Sequence, residues 1–174
     1  MKSIRLIALV ALLSIPSLSY AASDVQVGFS PEGSARALVL KLIGSATHSI
    51  RMQAYSFRAP DIMQALVDAK KRGVDVRVVV DKKRNERKAS KKAMDFVTGN
   101  GVELRTTDHF HIHHDKVIIV DGHTVETGSF NFAPSGETAN SENVVVIRGM
   151  PDVARQYIAH WQSRWDLGVP YRSQ

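Results

Sequence analysis

The chain has 174 residues, no cysteine and a formal net charge of +6. Thiol nucleophiles, disulfides and cysteine-ligated metals are therefore excluded. The length suits one domain with a substantial core, whose stability must come from packing.

The first elements belong to targeting rather than to the fold. Lys2 and Arg5 precede the apolar run "LIALVALLSIPSL", and "SYAAS" then offers a small-x-small pattern suited to cleavage after Ala21. This is the layout of a secretory signal peptide over residues 1–21, with a single domain over 22–174 and a periplasmic or secreted product. The run is short for a membrane span and lacks a charged stop, so no stable membrane insertion is expected after cleavage. An uncleaved anchor is the alternative.

Strand and helix signals then alternate. "VQVGF" reads as a strand, and "SPEGSARALVLKLIGSA" as a helix with Ser30 as N-cap, Pro31 at its first position and Gly44 at its close. "HSIRMQAYSF" predicts a strand, "APDIMQALVDAKKRG" a helix and "VDVRVVVD" a buried strand. "KKAMDFVTGNG" predicts a helix and "VELRT" a strand. "HHDKVIIVD", "HTVETGS" and "NVVVIRG" predict three more strands, with Asp121-Gly122 as a hairpin turn between the first two. In the last helix, Val153, Tyr157, Trp161 and Trp165 recur at four-residue steps, a packing stripe. This alternation predicts an α/β sandwich with a mixed sheet flanked by helices. No glycine-rich phosphate loop precedes a helix, which argues against nucleotide-binding folds.

The charge is concentrated. Asp81–Lys92, "DKKRNERKASKK", holds seven basic and two acidic residues. Such a run is either a solvated surface or a contact for a polyanion, with Lys82, Lys83 and Arg84 as the candidate substrate-binding residues.

The chemistry-bearing stretch is "HFHIHHDKVIIVDG", His109–Gly122. Four histidines suggest a metal, yet Lys116 follows the last of them. On a strand, His114 and Lys116 share a face. Ser129 and Asn131, also two apart, are expected to meet them if "HTVETGSFN" pairs antiparallel with that strand. A lysine and an amide donate to anionic oxygens, and an imidazole can attack phosphorus or move a proton near neutral pH. Lys116 and Asn131 could thus stabilise a developing phosphoryl charge with no metal and no other cofactor.

"HDKVIIVDGHTVETGSFN" closely resembles the HKD motif of the phospholipase D superfamily with its trailing Gly-Ser-x-Asn. From about Val25 to Trp165 the chain is similar to that superfamily, most of all to the small bacterial Nuc-type endonucleases. The resemblance implies residue roles. His114 would be the nucleophile that forms a phosphohistidine, and Lys116 and Asn131 would bind phosphate. Ser129 would lie near the histidine pair, Glu142 would hydrogen-bond and orient the histidine, and Asp121 would be mostly structural. Strand parity also turns Asp121 away from Lys116. The reaction needs two histidines and the chain has one HKD copy, so the resemblance implies a homodimer with its site on the two-fold axis. The expected activity is metal-independent, sequence-nonspecific hydrolysis of DNA, with RNA as the second candidate.

Three rivals stand beside this reading. A metallo-β-lactamase-type site fits His111, His113, His114 and Asp115 but fails at Lys116, where a histidine is required. His109, His111 and His113 are then expected at the rim. A phospholipase D acting on lipid head groups would use the same core. A non-catalytic module would have no use for the intact set.

Overall fold

The computed structural model describes residues 24–173. The expected signal peptide lies outside them. β1 (Asp24–Ser30), α1 (Ser34–Ser45), β2 (Ser49–Ala54), α2 (Pro60–Lys71), β3 (Asp75–Asp81), α3 (Lys88–Gly99) and β4 (Glu103–Thr107) form the first half. β5 (Lys116–Val120), β6 (Thr124–Gly128), α4 (Pro134–Thr138), β7 (Glu142–Arg148), α5 (Pro151–Asp166) and β8 (Val169–Pro170) complete it. A single 3₁₀ turn, Lys83–Asn85, joins β3 to α3. The strands make one mixed sheet in the order β1-β7-β6-β5-β2-β3-β4-β8. β2, β3 and β4 run parallel, as crossover helices require, whereas β5, β6 and β7 are antiparallel hairpin neighbours. The expected α/β sandwich with a mixed sheet is the fold observed.

Helices cover both faces. Ile118 and Val120 of β5, Ile50 and Met52 of β2, and Val76, Val78 and Val80 of β3 pack in the core with residues of α1, α2 and α3. The alternate residues Val117, Ile119, Val79 and Val125 pack against Ala154, Trp161 and Trp165 of α5. The period-2 alternation of the strands thus sorts each run between two cores. The aromatic stripe is packing: Trp161 and Trp165 stack with centroids 5.2 Å apart. Trp161 also donates its indole N–H to the Met52 carbonyl at 3.1 Å.

Three boundaries differ from the sequence reading. Ser30 does not cap α1, because it is paired opposite Glu142 at the end of β1. The helix starts instead after Gly33, whose φ of 90° turns the chain, and the Ser34 hydroxyl accepts from the Phe29 N–H at 2.8 Å. β5 begins at Lys116 and not at His113, whose N–H goes to the Asp81 carboxylate at 2.8 Å. α3 starts at Lys88, inside the basic run. The Asp121-Gly122 turn is as expected: both residues have positive φ, 52° and 72°, and the His123 N–H closes onto the Val120 carbonyl at 3.2 Å. Among the described residues no helix is long and apolar enough to cross a membrane.

Candidate active site

The site lies where β5 enters the sheet. Lys116 is the first residue of β5, sits opposite Ala54 of β2 and is buried. Its ammonium donates to the His114 carbonyl at 2.7 Å and lies 3.3 Å from His114 Nδ1. The His114 ring is exposed and rests on Tyr55, centroids 4.5 Å apart. Lys116 Nζ stands 5.4 Å over the same Tyr55 ring.

Electrostatics follow from this crowding. Burial lowers the Lys116 pKa, while Glu142 and Asp115 pull it back up. His114 is lowered as well, by burial and then by the charge of Lys116. A histidine held below its ordinary value is neutral, and so nucleophilic, over more of the neutral range.

Ser129 and Asn131 arrive by a different route from the one expected. β5 and β6 pair Val117 with Thr127, which carries Gly128 and not Ser129 to the position across from Lys116. The two residues therefore do not share the Lys116 face by strand parity. β6 ends at Gly128, and the chain is handed to β7. The Ser129 N–H donates to the Asn143 carbonyl at 3.1 Å and side-chain oxygen at 3.2 Å, and the Ser129 hydroxyl accepts from the Asn143 N–H at 3.0 Å. Gly128 is required here, because any Cβ would overlap the Asn143 carbonyl oxygen. The next residues run beside the extension of β2, where Phe57 bridges Phe132 and the Arg58 N–H donates to the Phe132 carbonyl at 2.9 Å. Asn131 lies on that loop, and its carbonyl accepts from the Ala133 N–H at 2.7 Å. Its side-chain oxygen is buried with no hydrogen-bond partner.

Glu142 opens β7, two strands from β5. Its Oε1 accepts from Asn140 at 2.9 Å. Among the described residues no hydrogen bond joins it to His114. The strand spacing explains the gap, since two steps across a sheet span roughly 10 Å.

The other end of β5 is built for holding. Asp121 accepts from the amides of Thr47 (3.0 Å), His48 (2.7 Å) and Ser49 (2.8 Å), and from the Thr47 hydroxyl at 2.7 Å. Those donors outweigh burial and lower its pKa to about 2.

The four histidines diverge. His109 and His111 are exposed, as expected for rim residues, but His113 is buried. Its N–H is held by the Asp81 carboxylate at the end of β3. Among the described residues no group of three or more His, Asp or Glu side chains is arranged to hold a metal ion.

The basic run divides too. Lys82 is paired with Asp108 at 2.6 Å. Lys83, Arg84 and Arg87 line a cleft of about 290 Å³ together with Tyr55 and His111. The Arg84 guanidinium lies 5.3 Å over the Tyr55 ring. Sequence reasoning missed Tyr55, Arg87, Asn143 and Asn85. Asn85 is fully buried, accepts from the Phe57 N–H at 3.0 Å, and donates to the carbonyls of Tyr55 and Asp81 at 2.8 and 2.7 Å. It ties the segment carrying Tyr55 to the end of β3. Its only sequence signal was a lone amide in a run of charges.

The family described as "Cardiolipin synthase, PLD-like domain" matches residues 39–165. The chain belongs to the phospholipase D superfamily. It is a phosphodiester hydrolase. A protein called phospholipase D from Rickettsia prowazekii is 37% identical over 142 residues, covering 82% of this chain and 68% of that protein. A protein called mitochondrial cardiolipin hydrolase from Danio rerio is 29% identical, covering 76% of this chain and 57% of that protein. The crystal structure of Nuc, a phospholipase D family member from Salmonella typhimurium, superposes with a TM-score of 0.86 and 60% identity over 87% of this chain and 100% of that one. NucT from Helicobacter pylori shares the fold, with a TM-score of 0.73 at 20% identity.

Proposed function

We propose that the chain is a metal-independent, sequence-nonspecific endonuclease that hydrolyses DNA, with RNA as a second substrate, at a site completed by a second copy of the chain. The observation that carries this reading is the cationic cleft. Tyr55 neighbours both His114 and Arg84, so a scissile phosphate at His114 would have its neighbours beside Lys83, Arg84 and Arg87. A chain of phosphates can occupy such a row, whereas a single lipid head group cannot. The 60% identity to Nuc agrees with it.

In this reading His114 attacks phosphorus, the bond to the leaving oxygen breaks, and that oxygen takes a proton from a second His114 supplied by another copy. The second imidazole, now neutral, removes a proton from water. The water oxygen attacks phosphorus, the P–N bond breaks, and His114 is released. Lys116 and Asn131 would donate to the phosphoryl oxygens throughout. Glu142 would keep Lys116 charged, and orienting His114 would require its carboxylate to leave Asn140. Asp121 would hold β5 from its far end.

The second copy has a surface to occupy. Val25, Val27 and Phe29 on the edge strand β1 are each more than half exposed. They lie beside Ile147, Val145 and Asn143 of β7, so the apolar strip ends where Asn143 clasps Ser129. Exposed apolar edges are costly in a lone chain. Sedimentation should give a dimer, and an active monomer would refute the shared site.

A lipid reading is favoured by relatives called phospholipase D and cardiolipin hydrolase. One competition separates the two: plasmid DNA against cardiolipin and phosphatidylcholine vesicles under the same conditions. Nicking of plasmid without head-group release supports the nuclease, and the reverse result supports the lipase.

A further inference from the structure

Asp115 lies between His114 and Lys116 in sequence, and its contacts are with His160 of α5 and Gln53 of β2. It faces α5 and β2 rather than the cleft. Its Oδ2 accepts from His160 Nε2 at 3.2 Å and lies 3.5 Å from His113 Nδ1. In the orientation of the Gln53 amide that satisfies both of its ends, the amide nitrogen also donates to Asp115 Oδ2 at 2.9 Å, and the oxygen accepts from the Trp161 N–H at 3.3 Å.

We propose that Asp115, His160 and His113 are positioning residues: a clamp on the rear of the chain that sets the orientation of His114 and Lys116 on its front. The inference rests on the reading of those two as the reacting pair.

The need for such a clamp is visible. Residues 113–115 belong to no strand, so no sheet ladder orients them. On the front, the exposed His114 ring rests on Tyr55 and lies beside the Lys116 ammonium. The rear contacts come instead from α5, β2 and His113. His113 is anchored in turn, its N–H donating to Asp81 Oδ2 at 2.8 Å while Asp81 Oδ1 accepts from the Arg84 N–H at 2.6 Å. The clamp therefore connects the cleft residues to the segment holding His114.

The protonation states are consistent with this geometry. Burial lowers the pKa of His113 despite the nearby carboxylates Asp115 and Asp81, and Arg164 and His160 lower it further. His113 Nδ1 lies 3.5 Å from Asp115 Oδ2, and its buried Nε2 has no partner. The titratable and charged groups around the clamp are thus His113, His114, Lys116, Asp81, His160 and Arg164. His160 is 39% exposed at its side chain, while Trp161 beside it carries the packing of α5. Removing the imidazole should leave the helix in place. It would free one of the holders of Asp115, and misplacing reacting groups by about 1 Å can cost on the order of 100-fold in rate.

The test compares His160→Ala, His160→Gln, Asp115→Asn and His114→Ala on plasmid DNA and on bis-p-nitrophenyl phosphate, with thermal unfolding of each. His160→Ala is expected to lower kcat by about 10- to 100-fold with KM within about twofold. His160→Gln, which still offers an N–H to Asp115, should recover to within about threefold of the native rate. Asp115→Asn removes a charge that raises the His114 pKa, and should move the acidic limb of the rate profile to lower pH. The clamp is overturned if His160→Ala keeps its kcat, if Gln rescues no better than Ala, or if the loss tracks KM or the folded fraction. If His114→Ala remains active, the underlying assignment of the reacting pair fails, and that outcome is distinct from a failure of the clamp alone.

Discussion

The two ends of β5 carry residues of one motif and are built in opposite ways. At the far end Asp121 is saturated, its carboxylate satisfied by three main-chain amides and a hydroxyl. At the near end His114 is exposed and Lys116 is buried next to it. Saturation makes a brace. A buried ammonium beside an exposed imidazole makes a place for an anionic substrate, at a cost in stability that the brace helps offset.

Exchanging the loss of chemistry for the loss of structure would break this contrast. The largest effect should come from His114→Ala, which is expected to reduce activity by about 10⁴-fold or more while the unfolding midpoint stays within a few degrees. Lys116→Met should cost about 10²- to 10³-fold in kcat and leave the protein folded. Asp121→Ala should do the reverse, unfolding the protein at about 2–3 kcal/mol less free energy with kcat of the folded fraction little changed, as read by urea denaturation and active-site titration.

The contrast also predicts a pH dependence. The folded pKa of Asp121 is depressed to about 2, below its ordinary 3.8. Its contribution is therefore present above pH 3.8 and lost as pH falls through 2. After discounting for solvent screening this amounts to about 1–2 kcal/mol, and Asp121→Asn should abolish that part of the acid sensitivity. Glu126 runs the other way. Fully buried with both carboxylate oxygens unpartnered, it is raised well above the ordinary glutamate value by burial. Its protonated form suits the core, so stability is lost as pH rises towards that raised pKa. Glu126→Met should stabilise by about 1–3 kcal/mol, most at alkaline pH.

The smallest effects concern the basic run. Neutralising Lys83 or Arg84 should each reduce the slope of log binding against log salt by about 0.7–0.9. Lys82 is already paired with Asp108 and should contribute less. Equal slopes for all three would return the run to an unspecialised charged surface.

Much of this architecture was legible in the residues. Alternating apolar runs and turn signals reveal the sandwich, and the Asp121-Gly122 hairpin follows from local chemistry. The spacing from His114 to Asn131 points to phosphodiester chemistry before any coordinates. What escaped was non-local. Ser129 and Asn131 were expected on the Lys116 face by parity, but β6 leaves the ladder after Gly128 to be clasped by Asn143, fourteen residues away. Ser30 resembles an N-cap until β7 claims it. His113 resembles a rim residue until Asp81 and α5 enclose it. Each depends on a partner brought near by the fold, which no local pattern encodes.

The central claim is that His114 and Lys116 cleave a phosphodiester backbone without a metal. Plasmid DNA incubated with the purified protein in excess EDTA tests it most directly. The account predicts undiminished nicking by the native protein and none by His114→Ala. Complete loss of cleavage in EDTA, restored by Zn²⁺ or Mg²⁺, would contradict it.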